Sequence, residues 1–139
     1  MPEAAVRPAS KRDYFERANG VRTSHLAGPR EESTEAFVGT TEFPIGAYVA
    51  LHTHDCEETV YILEGVAEFE ADGLTQRLAV GDVTWTPANV SHGFSNVGDG
   101  PMRILWVYGA VTATRTIVAT GRTTLVADEA DRAQPDADP

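Results

Sequence analysis

The chain has 139 residues, the length of one domain, and folding at that size removes roughly two-thirds of the unfolded surface from water. Its formal net charge of -10, from 21 Asp and Glu against 11 Lys and Arg, disfavours nucleic acid and anionic membranes as partners. A single cysteine, Cys56, excludes an intramolecular disulfide and is compatible with a reducing compartment.

Residues 1–20 (MPEAAVRPASKRDYFERANG) form a polar arm of mixed charge without the apolar stretch of a signal peptide. No run approaches the roughly 18 apolar residues of a membrane span. A soluble, cytoplasmic protein is the expectation. Within the arm, residues 11–19 can form a short helix with Tyr14, Phe15 and Ala18 on its apolar edge. An arm packed on a partner subunit is the alternative. Residues 21–26 read as a strand and 27–33 as a loop.

From residue 36 onward, short runs rich in Val, Ile, Thr and aromatics alternate with Gly, Pro and Asp. Strands are expected at 36–43, 48–52, 58–64, 66–70, 74–78, 83–86, 93–96 and 102–108. Asp72-Gly73 favours the positive φ angles of a two-residue hairpin. Residues 112–127 are β-prone and make one or two edge strands. The pattern is that of an all-β sandwich or barrel over 21–127. The tail, 128–139, has five acidic residues, one Arg and two Pro, and is expected to be disordered.

Three of the four histidines, His52, His54 and His92, fall in this β region. Strand residues two apart share a face, so His52 and His54 can reach one ion. The turn at 55–57 can bring Glu58 back alongside, and His92 comes from a separate strand. Glu57 competes for the carboxylate role but has the opposite parity. Cys56 sits between the candidates, although a turn there takes it off the ligand face. Three imidazoles and a carboxylate suit one divalent transition metal per chain: Fe, Mn, Zn, Ni, Co or Cu. His25 lies apart and reads as structural or surface.

The frame around these residues resembles the cupin family. Gly46, His52, His54, Glu58 and Gly65 reproduce the spacing of the first cupin motif; Gly81, Pro87, His92 and Asn96 reproduce the second. Asn89 stands where the second motif usually has glycine, and Asn tolerates a left-handed turn better than other non-glycine residues. The resemblance implies a jelly-roll β-barrel (a double-stranded β-helix), metal ligands at His52, His54, Glu58 and His92, and a homodimer. It leaves the activity open, because the family is catalytically diverse.

Strand parity then proposes pocket walls. Tyr48 shares the parity of His52, Val60 and Ile62 that of Glu58, and Phe94 that of His92. In 102–108, either the Arg103 face or the Trp106 face points inward. Arg103 inward would clamp a carboxylate; Trp106 inward would make the pocket aromatic. Tyr48 and Arg103 are therefore the candidate catalytic residues, each weighed against a core aromatic or a surface Arg. Trp85 reads as core or subunit packing. The functional expectation is a metal-dependent enzyme acting on a small organic substrate, anionic or enolisable, with dioxygenase-type chemistry favoured. A non-redox isomerase, decarboxylase or lyase is one alternative, and a non-catalytic small-ligand binder is another.

Overall fold

The computed structural model describes residues 3–131. Among the described residues, twelve strands follow one another: β1 (Phe15–Glu16), β2 (Arg22–Ala27), β3 (Phe37–Phe43), β4 (His52–Thr53), β5 (Glu58–Glu64), β6 (Ala67–Ala71), β7 (Leu74–Leu78), β8 (Val83–Thr86), β9 (His92–Asn96), β10 (Met102–Tyr108), β11 (Thr114–Ile117) and β12 (Thr123–Leu125). They form two six-stranded antiparallel sheets, ordered β1-β2-β3-β10-β5-β8 and β12-β11-β4-β9-β6-β7. This is the expected all-β jelly-roll barrel. Among the described residues, no helix is long and apolar enough to cross a membrane.

The sheets enclose one core because their strands alternate. Along β10, Met102, Ile104, Trp106 and Tyr108 are buried while Arg103, Leu105 and Val107 are half-exposed. Along β5, Glu58, Val60 and Ile62 point inward against them. Burying each large apolar side chain contributes about 1.5–3 kcal/mol. Trp106 fits because its cross-strand partner on β3 is Gly39: a Cβ there would lie 2.2 Å from the indole Cζ2. The indole N–H donates to Thr41 Oγ1 at 2.9 Å, so the ring enters the core without an unpaired donor.

Local chemistry sets the connections. Asp72 and Gly73 take φ of 50° and 79°, and Ala71 pairs with Leu74 across them. Both central residues of this two-residue hairpin are therefore in the positive region that such turns need. Asn89 adopts φ 65°, the left-handed conformation anticipated for it, and its N–H donates to His54 O at 2.8 Å. The Asn96 side-chain amide ties two loops together, its Nδ2 donating to Phe43 O and Pro44 O on one at 3.0 and 3.1 Å and to Gly100 O on the other at 2.9 Å.

Three expectations are corrected. Residues 11–19 are not a helix: a 3-10 turn at Ala9–Lys11 is followed by β1, which pairs with β2. A nine-residue helix is marginal in water. The strand instead gains hydrogen bonds from β2 and sets Phe15 edge-on against His25, centroids 4.8 Å apart. The strand expected at 48–52 shrinks to β4, preceded by an isolated bridge from Tyr48 to Ser95. The disorder expected from residue 128 onward does not hold for residues 128–131. Val126–Asp131 forms a 3-10 turn in which Val126 and Glu129 are buried. Residues 132–139 of the tail lie outside the described residues.

Candidate metal centre

β4 and β9 are adjacent and antiparallel, with His52 directly opposite His92. Their ring centroids are 4.5 Å apart, and those of His54 lie 4.8 and 5.2 Å from them. Glu58 opens β5 in the other sheet, opposite Tyr108 and Thr86. The site thus sits between the sheets, with imidazoles on one wall and the carboxylate on the other. All four side chains are buried.

Each imidazole is oriented by the backbone. His52 Nδ1 donates to Ala50 O at 2.6 Å, His54 Nδ1 to Thr114 O at 2.8 Å, and His92 Nδ1 to Val90 O at 2.9 Å. A carbonyl only accepts, so every Nδ1 carries a proton, and a neutral ring presents its lone pair at Nε2. This is the arrangement that orients metal-ligating histidines. One potential ligand atom from each of the three lies within 4.8 Å of the others. Donors around a tetrahedral ion at about 2.1 Å stand about 3.4 Å apart, so the three side chains close on an ion by drawing together. His54 Nε2 is buried without a hydrogen-bond partner, as expected of an atom kept for an ion. The three histidines fit a divalent metal.

Glu58 stands against this group, Oε1 2.8 Å from His92 Nε2 and Oε2 3.7 Å from His54 Nε2. Burial opposes its ionisation, but the His92 hydrogen bond and the charges of His54 and His92 hold its carboxyl below the usual range. Burial likewise opposes charge on His92, and the Glu58 contact outweighs it, raising His92. His52 is pushed well below its ordinary value, first by burial and then by the Arg115 guanidinium. His54 is lowered chiefly by burial. Burial and the Glu58 carboxylate push the Tyr108 phenol well above its ordinary range, so it stays protonated.

Of the expected pocket walls, Phe94 and Trp106 line the cavity at the site, and Val60 and Ile62 are buried in the core around it. Tyr48 is corrected: it is 40% exposed and points away. Parity counted back from His52 fails because Val49 and Ala50 are both buried, which flips the side-chain phase. Val49 reaches the cavity instead. Arg103 is corrected too. Trp106 and Tyr108 take the inward face of β10, leaving Arg103 outside between Glu42 and Glu64. Trp85 is not core: it is 59% exposed, and its Nε1 donates to the outward Glu57 at 3.3 Å. Cys56 is a free, half-buried thiol, and burial raises it above its ordinary value.

The sequence reading missed the charged end of the pocket. Arg115 on β11 and Glu129 in the C-terminal turn are 4% and 5% exposed, and both line the cavity together with Arg17. Arg115 Nη1 lies 3.4 Å from Glu129 Oε1, and His25 Nε2 is 3.9 Å from Glu129 Oε2. Burial works against the Glu129 charge, yet Arg17, His25 and Arg115 hold its pKa down at about 2. Parity gives one available signal, since Arg115 alternates with Ala113 and Ile117, both buried. The cavity between the two ends is about 30 Å3.

Residues 39–108 match a family model described as Cupin domain. An oxalate-binding protein of Thermotoga maritima is 36% identical over 89 residues, 63% of this chain and 74% of that protein. The chain spans 59% and 49% of two other curated relatives, an uncharacterized protein of Methanocaldococcus jannaschii and polyketide synthase CurC of Streptomyces cyaneus, each 33% identical. A predicted oxalate decarboxylase of Thermotoga maritima superposes with a TM-score of 0.65 at 26% identity, covering 76% of this chain and 99% of that one. An RmlC-like cupin of Shewanella frigidimarina superposes at 0.68 with 18% identity, covering 78% and 92%, and supports the fold alone.

Proposed function

The chain belongs to the cupin family, and on that premise we propose that it binds a small carboxylate anion at a divalent metal held by His52, His54, His92 and Glu58. The observation that carries this reading is the charge inventory of the pocket. Arg17 and Arg115 balance Glu58 and Glu129. A divalent ion added to that set leaves a formal excess of about two positive charges in a buried site. Burying unbalanced charge is costly, and an anionic ligand removes the imbalance. The oxalate-binding relative supports the same ligand class.

Bound there, the ion would supply Lewis-acid polarisation of a ligand oxygen. The residues supply the rest. The three Nδ1 hydrogen bonds fix the imidazoles, so no ring turns when the ligand arrives. Tyr108 stays protonated beside Glu58 and serves as a hydrogen-bond donor rather than a base. Phe94, Ile104 and Trp106 exclude bulk water from the ligand. Non-redox cleavage of such an anion, decarboxylation or lysis, is the reaction this environment favours. Dioxygenase chemistry rests on the ligand set alone, and that set serves both.

The test combines metal analysis of protein purified without added metal, calorimetric titration with oxalate and malonate, and oxygen uptake. The expected result is about one ion per chain, anion binding that disappears with a chelator, and no ligand-dependent oxygen consumption. Failure of both anions to bind metal-loaded protein would sink the carboxylate reading. Oxygen uptake on ligand addition would restore the dioxygenase.

A further inference from the structure

The pocket as it stands is too small for the ligand class just argued. A cavity of about 30 Å3 holds about two waters, whereas oxalate has six heavy atoms. Something must leave before an organic anion enters, and one group already resembles the ligand. Glu129 places a buried carboxylate on the cavity wall facing Arg115 and Arg17. Its Oε1 stands 3.4 Å from Arg115 Nη1 and its Oε2 3.9 Å from His25 Nε2, and Arg17 shares the same cavity wall.

The element carrying Glu129 is lightly held. The turn Val126–Asp131 is pinned at its start, where Val126 is buried and its N–H donates to Ala113 O at 2.9 Å. Beyond that point, Arg30 grips Asp131 and Asp128 from the surface. Exposed ion pairs of this kind stabilise little. On the turn's outer side, Ala130 borders a groove of about 650 Å3 in which Arg7, Lys11, Arg12 and Arg30 outnumber Asp13 and Glu31. That groove gives the acidic turn, with Asp128, Glu129 and Asp131, both room and positive charge to move toward.

We propose that Glu129 is an internal stand-in for the ligand's carboxylate: it occupies the Arg115–Arg17 end of the metal pocket, and an entering anion displaces it together with the turn Val126–Asp131. The exchange is of one carboxylate for another, so the arginines stay neutralised throughout and neither is left buried without a counter-charge. The identity of the displaced group sets selectivity. A neutral ligand gains nothing from the arginines and leaves Glu129 in place, whereas a ligand with one carboxylate for the metal and a second for Arg115 opens the turn. This inference rests on the carboxylate reading above.

The test uses the full chain loaded with Mn(II) and oxalate as the probe. Hydrogen–deuterium exchange should rise over 126–131 when oxalate is added and stay unchanged with oxamide, a neutral molecule that also has six heavy atoms. Glu129→Gln keeps the shape and removes the charge. It should bind oxalate about tenfold more tightly than the parent, because the internal competitor is weakened. Its metal content should be unchanged. Two failures are distinguishable. Oxalate that binds the parent with unaltered exchange at 126–131, and no tighter in Glu129→Gln, overturns the displacement but leaves the carboxylate reading standing. Oxalate that binds neither protein overturns both.

Discussion

The two ends of the pocket are built in opposite ways. The histidine end lies on neighbouring strands, His52 across from His92, with each ring locked to a backbone carbonyl. The arginine end is gathered from remote parts of the chain: Arg17 before β2, Arg115 on β11 and Glu129 in the last described turn. The first is a set of donors held rigidly in advance of any ligand. The second is a set of charges that satisfy one another. Rigid donors are what an ion requires, whereas an exchangeable charge pair is what a ligand that comes and goes requires.

That contrast can be broken at either end. The largest effect is expected at the histidines. His54→Ala should lower metal affinity by more than the roughly 10- to 100-fold lost when a residue that only orients a ligand is changed. Metal analysis reads the outcome, and melting temperature should move less than for a core variant such as Val60→Ala. Retention of stoichiometric metal in both His54→Ala and His92→Ala would falsify the assignment.

Arg115→Met comes next and should act the other way round, costing about 3 kcal/mol of stability because it removes one of the groups that hold the buried Glu129 carboxylate, leaving Arg17 and His25. Metal content should survive. Restoration of most of the loss by adding Glu129→Gln, in a denaturant double-mutant cycle, would tie the cost to that pair. An additive cycle would place it elsewhere.

A pH series isolates the same charge without mutation. Folding lowers the Glu129 pKa from 4.5 to about 2, so its stabilisation is fully present above the unfolded value and disappears as pH falls through the folded one. About 3 kcal/mol should therefore be lost between pH 4.5 and pH 2. Comparison of the parent with Glu129→Gln over that window is the measurement, and parallel stability curves would contradict the expectation.

The smallest effect is expected at the surface. Arg30→Ala removes the grip on Asp131 and Asp128, both exposed, and should cost at most about 1 kcal/mol. It should nevertheless raise exchange over 126–131 in the absence of ligand.

The same division explains what could be read from the amino acids alone. The strands at 58–64, 74–78, 83–86 and 102–108 match β5, β7, β8 and β10 because their alternation and flanking turn residues are local signals. The histidines and Glu58 were legible because the spacing of two motifs carries them. Tyr48 was misplaced because one extra inward residue, Val49 next to Ala50, reverses parity, and a phase slip leaves no mark on composition. Arg103 was undecidable because both faces of 102–108 hold large apolar residues; Gly39, which makes room for Trp106, settles it from another strand. Arg115 and Glu129 were missed for a deeper reason. Whether a charged residue is buried depends on whether its counter-charge arrives with it, and here the partners stand 14 residues apart in the chain. Residues 128–131 look solvated by composition and fold back because the Glu129 carboxylate meets counter-charges in the pocket.

The indole at Gly39 has a consequence for observation. The protein has two tryptophans, Trp85 and Trp106. The first is 59% exposed on the outer sheet face and the second 4% exposed at the cavity wall. A soluble collisional quencher such as iodide should extinguish the emission of Trp85 and leave that of Trp106. What survives comes from a fluorophore seated beside Glu58 and Arg115, so the molecule carries its own optical reporter of whatever enters the barrel.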